Sequence, residues 1–93
     1  MSQRVDRHVQ AARAYRKAIA LQPGEAVTHL RLAVCLMLAK RWDECAEELR
    51  TAIGLDPKLE EKDKDVRMLL GAHSPRGGSL EDLLALVQTQ GKV

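Results

Sequence analysis

The side chains best suited to metal binding or nucleophilic chemistry are His8, His29 and His73 with Cys35 and Cys45. A metal site needs several such ligands converging, and no histidine here stands at ligand spacing from a carboxylate or cysteine. The two cysteines fall ten residues apart within helical segments and match no metal or redox spacing. They read as small buried hydrophobes, reduced in a cytosolic setting. Ser74 and Ser79 lack the strand-to-helix elbow that exposes a nucleophile. Glu47 and Glu48 are adjacent on a helix, so their carboxylates point apart and cannot work as a pair. The Gly77-Gly78 dipeptide invites comparison with a phosphate loop, but no Walker-type lysine follows and no strand precedes it. A flexible connector is the simpler reading. The chain is therefore expected to be non-enzymatic, with no cofactor and no metal.

Composition narrows the remaining classes. The 93 residues suit one domain and are 45% hydrophobic, yet only 2% aromatic with no phenylalanine. Such a core must be built from Leu, Ile, Val and Ala, which favours packed helices. Charge is nearly balanced at a formal +2, so the basic footprint of a nucleic-acid binder is missing. No apolar run is long enough for membrane insertion. The opening MSQRVDRHVQAARAY carries no hydrophobic signal segment, which makes cytoplasmic residence the expectation.

What positions these side chains is an internal repeat. RKAIALQP at Arg16–Pro23 returns as RTAIGLDP at Arg50–Pro57, an offset of 34 residues. At the same offset Ala12 maps onto Ala46, Ala18 onto Ala52, Ile19 onto Ile53 and Leu21 onto Leu55. Small residues recur where helices must approach closely, and proline recurs where the helix must stop. This pattern resembles the tetratricopeptide repeat family, whose helix-turn-helix unit has that period. The resemblance rests on Leu32 and Ala33, then Trp42, Cys45, Leu49, Ala52 and Pro57, and on Ala11, Tyr15, Ala18 and Pro23 before them. It covers roughly the first two-thirds of the chain. Three positions depart from the family: His29 stands for tryptophan, Leu36 for tyrosine and Cys45 for alanine.

The expected fold is all-α, a solenoid of about five helices. A half repeat would occupy 1–23, a full repeat 24–57, and a degenerate third repeat 58–93 with a loop at 73–79. Helices are expected at about Val5 to Leu21, Glu25 to Ala39, Trp42 to Leu55, Leu59 to Ala72 and Leu80 to Gln90. The first carries Val5, Val9, Ala12 and Ile19 on one face, widened by Ala11, Tyr15 and Ala18, but lacks its mate. The second is apolar almost all round and should be buried on several sides. In the charge run KLEEKDKD, Glu60–Lys64 and Asp63–Arg67 are spaced for pairing along a solvated helix start. Ser79 followed by Asp82 has the spacing of a capping box.

In the family, the first helix of each repeat lines a concave surface that holds peptides or a helix. The resemblance places Val27, Leu30, Arg31, Val34, Met37 and Leu38 on that wall, with Glu61, Asp65 and Met68 added from the third unit. Packing against neighbouring helices is the alternative role, and Val34 and Leu38 fit either. Glu61 and Asp65 are acidic, which argues against capture of a terminal carboxylate. An apolar or amphipathic segment of another protein fits better, with the methionines as adaptable contacts. The competing expectation is a self-associating scaffold module whose groove is filled by its own C-terminal helix or by a second protomer.

Overall fold

The structure is a computed structural model that describes residues 3–74 and 79–91, with side chains from Arg7 onward. Residues 75–78 of the expected loop and the side chain of Val5 lie outside the described residues. Six helices follow one another: α1 (Gln3–Leu21), α2 (Ala26–Leu38), α3 (Trp42–Leu55), α4 (Leu59–Lys62), α5 (Lys64–His73) and α6 (Leu80–Gly91). The described residues contain no strand, so the all-α expectation holds, with one helix more than expected.

The extra boundary lies at Asp63. Its backbone is extended, and its carboxylate accepts hydrogen bonds from the amides of Asp65 and Val66. A side chain that satisfies the orphan amides of a following helix starts that helix afresh. The single helix expected over Leu59 to Ala72 is thus two, and the expected Glu60–Lys64 and Asp63–Arg67 pairs do not form among the described residues. Arg67 turns back instead to the carbonyls of Glu60 and Glu61, and Lys62 reaches Asp56. Ser79 caps α6 as its spacing implied, through a 3.1 Å bond from the Asp82 amide to its hydroxyl.

The core lies around α2. That helix packs against α1 on one side and α3 on the other, and α6 packs in turn on α3. Leu30, Leu32, Ala33 and Leu36 of α2 meet Cys45, Leu49 and Ala52 of α3 in one buried cluster with Leu70, Leu80, Leu83 and Val87. Each buried leucine contributes roughly 1.5–3 kcal/mol, so aliphatic side chains supply the stability that aromatics supply elsewhere. The end of α6 lies close to the start of α3, where a Cβ on Gly91 would stand 3.2 Å from the Trp42 Cβ. The two helices therefore pack in the antiparallel sense.

Between α2 and α3 the chain reverses through Lys40, whose φ of 62° is the left-handed conformation. The Lys40 amide donates to Met37 O at 3.0 Å and the Arg41 amide to Leu36 O at 2.8 Å, closing the helix end. Glycine adopts that conformation without steric cost, whereas a side chain costs roughly 1–2 kcal/mol. Lys40→Gly is expected to raise stability by about 1 kcal/mol, read as a higher urea midpoint at unchanged slope. A lower midpoint would mean that the Lys40 side chain makes an interaction stronger than the strain.

Candidate functional site

Leu30 and Val34 are separated by one turn of α2, and both turn inward, but only one of them reaches a surface. Leu30 is fully buried among core residues. Its expected place on a binding wall is corrected: α2 is sandwiched by α1 and α3, so the stripe through Leu30 faces neighbours rather than solvent. Val34 is also buried, yet it forms part of the floor of an open cleft of about 280 Å³. Arg31 and Cys35 of α2 line the same cleft, with Tyr15 from α1 and Asp65, Val66 and Leu69 from α5.

The cleft is apolar at its floor and carries one charge of each sign at its sides, Arg31 on α2 and Asp65 on α5. Other expected wall residues scatter. Val27 and Met37 are half-buried and pack against the core, while Leu38 is exposed at the end of α2. Met68 is 67% exposed on α5, one turn from Asp65, and Glu61 lies on α4. Tyr15, Cys35, Val66 and Leu69 were not anticipated. The helical period around Arg31 and Val34 includes Cys35. The contributions of α1 and α5 depend on how helices far apart in sequence come together.

Of the groups considered for chemistry, Cys45 and His29 are buried and Cys35 is half-buried. Burial pushes the Cys45 thiol up to about 12, with the Glu48 charge adding to the rise, so it stays protonated and unreactive at neutral pH. Burial also raises the Cys35 thiol. His29 is buried with both ring nitrogens bonded: Nδ1 lies 2.7 Å from Glu48 Oε1 and Nε2 lies 2.9 Å from Pro23 O. A carbonyl only accepts, so Nε2 carries the hydrogen directed at Pro23. This imidazole joins the turn after α1 to α2 and α3, which is structural work. Among the described residues no three His, Cys, Asp or Glu side chains gather as metal ligands, and no helix is long and apolar enough to cross a membrane.

Helices packed side by side around an open cleft define a helical-repeat domain. A family model described as the tetratricopeptide repeat matches residues 5–72. The chain belongs to the tetratricopeptide repeat family, whose members generally act as non-catalytic modules of protein–protein interaction. No curated protein and no solved structure matches it.

Proposed function

We propose that this protein is a non-catalytic interaction module that seats an apolar or amphipathic segment of a partner protein in the cleft between α1, α2 and α5. The observation that supports this reading is the cleft itself. Its floor of Val34, Val66 and Leu69 offers apolar contact, while Arg31 and Asp65 on opposite sides can orient a segment by its charges. The expectation of a C-terminal helix folded into the groove gains no support, because α6 packs on α3 and supplies no residue to the cleft.

Leu69 replaced by a photocrosslinking amino acid is expected to trap a partner, whereas the same replacement at exposed Ala85 on α6 traps none. Arg31→Glu should weaken that capture roughly tenfold while changing stability by less than about 0.5 kcal/mol, since the site is exposed. Crosslinks confined to a second copy of the chain would favour the self-associating scaffold. Equal trapping from Leu69 and Ala85 would overturn the cleft reading.

A further inference from the structure

A smaller cavity, of about 160 Å³, lies where the middle of α1 meets the end of α2 and the turn into α3. Buried Ala12 and Leu36, with half-buried Val9 and Ala39, give it an apolar floor. His8, Arg13, Arg16 and Arg41 stand around it, the three arginines exposed and the histidine half-buried. Among the described residues one carboxylate comes within ion-pair reach of them. Glu44 accepts a bond from Arg16 and lies 3.8 Å from Arg41. Arg13 joins no ion pair among the described residues. Three guanidinium groups against one carboxylate leave two positive charges at the mouth of the cavity. The start of α3 at Arg41 has no side-chain cap, so the positive end of a helix dipole lies beside them.

The repeat shows that folding does not require this charge. His8, Val9, Ala12, Arg13 and Arg16 stand 34 residues before Trp42, Asp43, Ala46, Glu47 and Arg50. Those five residues line the groove that α3 makes with α6. The alanine is common to both helices, because both copies are buried. The acids are not: Val9 stands for Asp43 and Arg13 for Glu47. A seat of mixed charge on α3 is thus cationic on α1. Size and charge then select the ligand. Sites for whole small molecules usually span about 300–1,000 Å³, so this cavity admits a compact group and not a nucleoside. Guanidinium groups pair their donors with phosphate oxygens, and a phosphomonoester carries close to two negative charges at neutral pH. That charge equals the imbalance at the rim. A phosphodiester, as in a nucleic-acid backbone, carries only one.

We propose that this cavity binds the phosphoryl group of a phosphomonoester. Arg13 supplies the first ion pair. Arg16 and Arg41 turn donors from Glu44 to the same oxygens, and His8 offers a ring N–H. The apolar floor takes the carbon stem that carries the phosphate. A phosphorylated serine or threonine side chain and free inorganic phosphate share this chemistry. The site has no residue in common with the cleft between α1, α2 and α5.

The test titrates the full chain with N-acetyl-O-phosphoserine amide, inorganic phosphate and dimethyl phosphate, followed by amide chemical shifts in NMR spectra. At about pH 7.5, above the second phosphate pKa of about 6, the first two probes are largely dianions and the third is a monoanion. The phosphoserine derivative is expected to give saturable shifts at Arg13 and Arg41, with dimethyl phosphate roughly tenfold weaker. Arg13→Glu should weaken the derivative roughly tenfold, whereas Arg31→Glu, an equal change of net charge at the cleft, should leave its affinity unchanged. Glu44→Gln should tighten it, by freeing Arg16 and Arg41. Because Arg13 is exposed, its variant should keep the wild-type circular dichroism spectrum and melting curve. Tighter binding of the derivative than of inorganic phosphate assigns the site to a phosphorylated side chain, and equal binding assigns it to the free anion; both sustain the proposal. Shifts that do not saturate, equal affinity for dimethyl phosphate, or equal effects of Arg13→Glu and Arg31→Glu would overturn it.

Discussion

Truncation of Leu30 to alanine is expected to destabilise the domain by about 2–5 kcal/mol, and Leu30→Glu to abolish folding at ordinary temperature. Leu30 is fully buried in the helix that the rest of the molecule packs around. The alanine variant forfeits the transfer energy of the lost methyl groups and leaves a cavity that rigid neighbours on both sides cannot close. A domain of this size is stable by only roughly 5–15 kcal/mol, so the loss takes a large share of the total. Urea titration followed by circular dichroism checks the expectation. Met68→Glu provides the contrast, because Met68 is 67% exposed and the change should cost less than about 0.5 kcal/mol. A Leu30→Ala midpoint within error of the wild type would mean that α2 can shift to fill the gap.

The second large effect is expected at the imidazole. Glu48→Ala removes the partner of Nδ1 and leaves a buried polar atom unsatisfied, at a cost of roughly 1–3 kcal/mol. The lower part of that range is favoured, because the Glu48 side chain is 26% exposed and water can approach from its side. Glu48→Gln keeps a hydrogen-bonding group in place and should lose less. The decisive measurement is a double-mutant cycle with His29→Leu, in which replacing both groups should cost less than the sum of the single changes. Strict additivity would show that His29 and Glu48 do not act as a pair. The cycle also tests whether an imidazole clamp has taken the place of the apolar contact that the family's usual tryptophan would make at this position.

How far the fold could be read in advance depends on the range of the interactions involved. The helices around Pro23 and Pro57 were legible because proline stops a helix by local chemistry and because the two stops share one offset. The capping of α6 by Ser79 was legible for the same reason. The break at Asp63 was not anticipated. Its charge run suits a continuous helix by composition, and only the carboxylate turned onto the Asp65 and Val66 amides shows where one helix ends and the next begins. On α2, Arg31 and Val34 line a cleft, while Leu30 of the same expected wall is fully buried. Periodicity shows that a face is apolar, but not whether a neighbour covers it. Tyr15 and Leu69 entered the cleft from helices whose approach no local pattern records.

The sequence alone determined that this protein is a helical repeat of the tetratricopeptide class, because period, proline stops and small-residue positions are local properties repeated in register. Tertiary structure decided which copies of the repeated positions are covered. Ala52 is fully buried and Ala18 is exposed, although the two stand at the same place in the repeat. The physical reason is that burial belongs to a pair of helices, and α3 has α2 over that face while the matching face of α1 carries no described neighbour.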